Sequence, residues 1–265
     1  MATMNSMRQA VDLVRLLEAF SSAATPVLLI KGQAFSEVAY GDWTIRGVAA
    51  DADLLIPPSA IPRAHAILTE MGYHCAHDEG QPAPLSGLHG RYSRWVHYER
   101  SYLADGLLNV DLHWRPVPGS EPWTDFDRLW AGRRKVVVHN RTVDVPEPAA
   151  CLRISAAQGI VDGWPTLRSA TDVVACAQLM ALQELVALAE GDSLVAHGLA
   201  RAAATICRGN PAWDQAQPWP TLRHWRRSWR LRSRTDPLPR ALMRSTLGLA
   251  APARRLGKLG LGSQA

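Results

Sequence analysis

Residues 26–58 read PVLLIKGQAFSEVAYGDWTIRGVAADADLLIPP, and the fold follows from how this stretch is parsed. Two short apolar runs, Val27–Ile30 and Leu54–Ile56, have the character of buried strands bounded by turn chemistry. The first predicts a strand over 27–31, and the second extends to a strand over 51–56. Lys31 and Gly32 follow the first, and a short helix over 33–40 directs its free N–H groups toward a bound anion. Arg46 lies in the loop 41–50. Side chains alternate along a strand, so Asp51 and Asp53 share one face, about 7 Å apart along the strand axis. Two carboxylates held that close repel each other unless a cation lies between them. Mg²⁺ suits such a position, because it takes carboxylate oxygens together with substrate phosphates. Lys31, Gly32 and Arg46 would supply positive charge and a close backbone approach for a polyphosphate.

A third carboxylate lies further along. Residues 107–114 (LLNVDLHW) alternate, which puts Asn109, Asp111 and His113 on one face of a half-buried strand. If that strand lies beside the one carrying Asp51 and Asp53, three carboxylates converge. Two metal ions roughly 3.5–4 Å apart could then clamp the attacking and leaving oxygens of an in-line displacement.

IKGQA, the Tyr40-to-Arg46 spacing, DADLLI, MGYH and VDLHW occur in that order. Together they resemble the uncharacterised nucleotidyltransferase family of the polymerase-β-like superfamily over roughly residues 5–180. The ordered set carries the resemblance; an Asp-x-Asp alone is weak. It implies a mixed sheet with flanking helices, an α+β catalytic domain, and NMP transfer from an NTP, with ATP the expected donor. It also implies that Asp51, Asp53 and Asp111 are the metal carboxylates for two Mg²⁺ ions. Lys31 and Gly32 match the phosphate-side turn, with Gln33, Arg46 and His113 as further substrate contacts. Where the wider superfamily carries Gly-Ser or Gly-Gly, this chain has Lys31-Gly32-Gln33, the form of this particular family. Residues 158–164 (QGIVDGW) resemble the helical segment that follows the catalytic domain, with Asp162 and Asp172 as supporting groups.

The remaining elements follow from periodicity. An amphipathic helix is expected over 5–22, another from about 59 to 71, and a short strand at 73–75. Residues 76–92 read as an exposed loop. A strand over 93–100 pairs with 107–114 across the Ala104-Asp105-Gly106 turn. A short helix near 126–130 precedes a small hairpin, 134–138 with 142–145. Helices are expected near 148–161, 165–180, 182–190, 192–208, 219–232 and 238–248. The division is a catalytic domain over 1–147, a helical domain over 148–250 and a flexible basic tail over 251–265.

Composition narrows the class. The chain has 265 residues, 47% hydrophobic and 20% charged, as in a soluble globular protein. No apolar run approaches the roughly 18 residues of a membrane span, and the N-terminus lacks a signal-peptide core, so the expected location is cytoplasmic. Cys75, Cys151, Cys176 and Cys207 show no metal or framework spacing and read as reduced thiols. His74-x-x-His77 lacks a second ligand pair, which weighs against zinc. No GxSxG, P-loop or kinase signature occurs, which argues against those hydrolase and phosphotransfer classes.

Charge is unevenly placed. Residues 221–265 carry eleven Lys and Arg against Asp236, so the remaining chain holds 18 basic and 23 acidic residues. The net +5 therefore belongs to the tail. Residues 222–234 (LRHWRRSWRLRSR) fit an amphipathic docking helix first; they could also track a nucleic acid or lie on an anionic surface.

The single residues carry competing readings. Lys31 could be a strand end reaching water, though Gly32 beside it favours phosphate. His113 could orient a carboxylate, contact a phosphate or hydrogen-bond in the core near Trp114. Three functions thus stay open: an NMP transferase acting on an acceptor hydroxyl, a binding partner of antitoxin type that keeps the fold, and an RNA-directed transferase guided by residues 221–265.

Overall fold

The computed structural model describes residues 2–43, 45, 51–76, 97–118, 121–162 and 167–206. Arg46, His77, Cys207 and everything expected beyond residue 207, including both basic-tail helices, lie outside the described residues. Five strands form one mixed sheet: β1 (Leu28–Leu29), β2 (Asp51–Leu55), β3 (His74–Cys75), β4 (Glu99–Leu103) and β5 (Asn109–His113). Their spatial order is β1-β2-β5-β4-β3. β2 and β5 run parallel, and the other neighbours antiparallel.

Strand alternation divides the core into two layers. Ala52, Leu54, Val110, Leu112 and Tyr102 turn to one face, where they meet Leu13, Leu16 and Phe20 of α1 (Ala2–Ser22) and Ile61, Ala64 and Leu68 of the helix Ile61–Glu70. On the opposite face Leu28, Ile30 and Leu55 pack with Phe126 and Leu129 of the helix Phe126–Ala131 and with Ala150, Ile154 and Ala157 of the helix Pro148–Asp162. In chain order these helices are α3 (Ile61–Glu70), α4 (Phe126–Ala131) and α5 (Pro148–Asp162), and α2 is Gly32–Tyr40. Along β2 the second face changes from apolar to polar: Leu55 is buried among hydrocarbon, Asp53 is 7% exposed, and Asp51 is partly open.

A two-residue β1 is shorter than the strand expected over 27–31, because Gly32 turns the chain into α2 with φ 63°. That left-handed conformation costs an L-residue energy and suits glycine. A hairpin, β6 (Arg134–Val138) with β7 (Arg141–Val145), packs against α2. Its two-residue turn, His139-Asn140, has positive φ at both positions, the backbone twist that two-residue hairpins favour.

Three of the remaining helices, α5, α6 (Leu167–Gln178) and α8 (Ser193–Ile206), pack on one another, with α7 (Leu182–Gly191) against α8. α2 packs against α6, and the Tyr40 hydroxyl donates to Asp172 Oδ1 at 3.0 Å. Asp172 is thereby engaged with the last residue of α2. Among the described residues no helix is long and apolar enough to cross a membrane.

One strand overlaps its expected span only in part: the sequence reading places it over 93–100, of which 93–96 lie outside the described residues, and β4 occupies Glu99–Leu103. Arg100 and Tyr102 bury one face, and the turn at Ala104–Gly106 sets the register with β5.

Candidate active site

Parallel pairing of β2 with β5 sets Asp53 opposite Asp111, Asp51 opposite Asn109, and Leu55 opposite His113. The three carboxylates expected to converge are therefore on adjacent strands and one face. β4 continues each row: Ser101 pairs with Asp111, and Glu99 with His113.

Asp53 is the centre of the polar face. Lys31 Nζ lies 3.0 Å from its Oδ1, and His113 Nε2 donates to the same oxygen at 2.9 Å. Burial alone would raise the Asp53 pKa, but the His113 hydrogen bond and the Lys31 charge outweigh it and hold the group at about 2. Burial also works against the Lys31 charge; attraction to Asp53, and more weakly to Glu99 and Asp111, more than compensates and raises its pKa. Among the described residues Asp51 has no such hydrogen-bonded cation, though Lys31 and His113 act on it more weakly. Burial, then the charges of Asp53 and Asp111, push it up to about 6. Among the described residues, Lys31 and His113 do not offset these effects at Asp51.

His113 is fully buried, with its other ring nitrogen, Nδ1, 3.2 Å from Glu99 Oε2. That separation is within ion-pair reach, although the two groups are not aligned for a hydrogen bond. Of the readings open for His113, the structure favours holding a carboxylate. Asp111 accepts a 2.5 Å hydrogen bond from the Ser101 hydroxyl on its Oδ1.

Lys31, Gly32, Gln33, Asp51 and Asp53 line one cleft together with Leu13, Leu29, Ala52 and Leu108. Lys31 immediately precedes α2, so its ammonium and the unpaired first N–H groups of that helix share the cleft's rim. Gln33 is nearly buried, and its Oε1 accepts from His139 Nε2 at 2.7 Å, the histidine ring resting edge-on against Trp43. Gln33 is therefore already engaged with the β6–β7 turn while lining the cleft.

Among the described residues, no three His, Cys, Asp or Glu side chains are gathered closely enough to hold a metal ion as they stand. The donor chemistry nevertheless fits a hard divalent cation: Asp51, Asp53 and Asp111 share one face, and burial together with the charges of the other two raises Asp51. Sequence reasoning missed Glu99, Ser101 and His139. No motif marks them; only the strand register or the hairpin brings them to the site.

The mixed sheet with flanking helices thus sets an Asp-x-Asp strand beside a third Asp strand. The chain belongs to the uncharacterised nucleotidyltransferase family, whose model matches residues 1–207. It is thus a nucleotidyltransferase by family. A search of curated proteins gave no match. Among solved structures, the antibiotic-resistance factor ANT(2'')-Ia in solution is similar at 16% identity and TM-score 0.49, over 76% of this chain and 96% of that one. The crystal structure of ANT(2'')-Ia with adenylyl-2''-tobramycin gives 13% identity and TM-score 0.48, over 68% and 94%. An antigenic nucleotidyltransferase-like protein from Paracoccidioides brasiliensis gives 16% and 0.44, over 80% and 93%.

Proposed function

We propose that the chain transfers a nucleoside monophosphate from a nucleoside triphosphate, ATP first among donors, to an acceptor hydroxyl, with release of pyrophosphate. The observation that carries this reading is the register of β2 and β5, which sets Asp53 beside Asp111 with Asp51 two residues away and Lys31 at 3.0 Å. Asp51, Asp53 and Asp111 would hold Mg²⁺, two ions by the sequence expectation. When bound, the metal would neutralise phosphate charge and favour an ionised acceptor oxygen.

The chain's own residues then have separate tasks. Lys31, placed at the start of α2, binds the β and γ phosphates, and the helix N-terminus supports the same negative charge. Arg46 is assigned to those phosphates from the sequence alone. The acceptor oxygen forms a bond to the α-phosphorus while the bond from that phosphorus to the pyrophosphate oxygen breaks. The hydroxyl proton passes to a carboxylate of the trio, and pyrophosphate carries away the bonding electron pair. His113 keeps Asp53 aimed and ionised. Catalysis by this face is positioning and charge stabilisation, with no covalent enzyme intermediate. Residues 1–147 would supply the chemistry, and the helices after residue 148 would brace α2 from behind.

The direct test is incubation with each α-labelled triphosphate and Mg²⁺ in the presence of candidate acceptors. The reading expects label on an acceptor hydroxyl and equimolar pyrophosphate. Label released only as free monophosphate in every mixture contradicts transfer.

A further inference from the structure

We infer that β4, which carries none of the three carboxylates, is the strand that holds two of them in position, through Ser101 and Glu99. The inference rests on the nucleotidyl-transfer reading and adds positioning residues to it. Alternation along β4 buries Arg100 and Tyr102 on one face and turns Glu99 and Ser101 to the other. The register then sets Ser101 against Asp111 and Glu99 against His113. Ser101 reaches Asp111 directly, its hydroxyl 2.5 Å from Oδ1. Glu99 acts at one remove: its Oε2 lies 3.2 Å from His113 Nδ1, and His113 Nε2 donates to Asp53 Oδ1 at 2.9 Å.

Both contacts have the logic of outer partners at metal sites. A carboxylate with one oxygen fixed by a neighbour has fewer orientations to lose when it takes a cation. An imidazole flanked by a second acid is restrained in its ring plane. The ring of His113 is fully buried, and the acid beside its Nδ1 is Glu99. Ser101 acts on Asp111 and Glu99 on His113, so each works through another side chain and is a positioning residue.

The test is Mn²⁺ binding by the full chain, with α,β-methylene-ATP present, measured by electron paramagnetic resonance alongside thermal midpoints. Ser101→Ala and Glu99→Gln are each expected to weaken Mn²⁺ affinity roughly tenfold to a hundredfold. Ser101→Thr, which keeps the hydroxyl, should restore most of the affinity. In an Asp111→Asn background Ser101→Ala should add little, and in a His113→Asn background Glu99→Gln should add little. A lowered midpoint with wild-type Mn²⁺ affinity would make the contacts merely structural and overturn the inference. Equal losses in the single and double backgrounds would overturn it too. If Ser101→Ala does not fold, Ser101→Cys takes its place with the same expectation. A wild-type chain that binds no Mn²⁺ with the analogue present instead overturns the transfer reading and, with it, this inference.

Discussion

On the polar face of β2 and β5, charged side chains crowd together and lean on one another, with Asp51 pushed up to about 6. Where α8 crosses α5 the materials differ: small side chains meet at Gly198 and Ala156, and any Cβ on Gly198 would stand 2.5 Å from that of Ala156. The first region is held by partner groups that oppose repulsion, and the second by close packing. A function that needs charge at one place must accept local electrostatic cost, and the rest of the fold has to absorb it. The two regions should therefore answer mutation differently, the first through activity as well as stability and the second through stability alone.

Asp53→Ala should show the largest effect. It strands the Lys31 ammonium and the buried His113 ring, so transfer should fall on the order of a thousandfold, with about 3 kcal/mol lost from folding. Steady-state rates and urea unfolding read the two losses. Near-normal turnover would remove Asp53 from the machinery. Lys31→Ala comes next, with kcat lowered roughly tenfold to a thousandfold as for one electrostatic donor, and the fold kept. Lys31→Arg should recover only part, since a planar fork does not replace a compact ammonium beside Gly32. Wild-type turnover in Lys31→Ala would leave Lys31 as a counter-ion of Asp53 and nothing more.

In the helical pack, Gly198→Ala should cost about 1–3 kcal/mol by overpacking against Ala156, with activity per folded molecule unchanged. A stable variant with altered turnover would erase the contrast between the regions. The smallest effect concerns Asp51 and runs the other way. An acid whose folded pKa is raised from 3.8 to about 6 contributes its stability at low pH and loses it as pH rises through about 6. Asp51→Asn removes that loss. In a chelator, the variant should exceed its parent by about 1–2 kcal/mol above pH 6 once solvent screening is allowed for, the gap closing toward pH 4. A variant less stable than its parent at pH 7 would show that Asp51 is not under repulsion.

Much of this was legible in the chain. Alternation in DADLLI and LLNVDLHW put the three carboxylates on one face, and the parallel register of β2 and β5 agrees. Gly32 was read as a close-approach residue, whereas its backbone conformation is the stronger demand. The end of the strand preceding β5 was set too early, because ERSYL alternates as well as SRWVHYER does. The choice between them depends on which side chains, Arg100 and Tyr102, the far face buries. Ser101 and Glu99 were invisible for the same reason: a residue that supports a carboxylate from the next strand carries no motif, only a register. The bond from His139 to Gln33 spans 106 positions and could not be read locally.

Titration calorimetry of Mg²⁺-ATP into the wild-type chain, Asp53→Ala and Asp111→Ala tests the central claim most directly. The account predicts saturable binding to the wild-type chain and a loss of at least about tenfold in affinity in each variant. Unchanged Mg²⁺-ATP affinity in both variants would contradict it and move the triphosphate site away from the acidic face of the sheet.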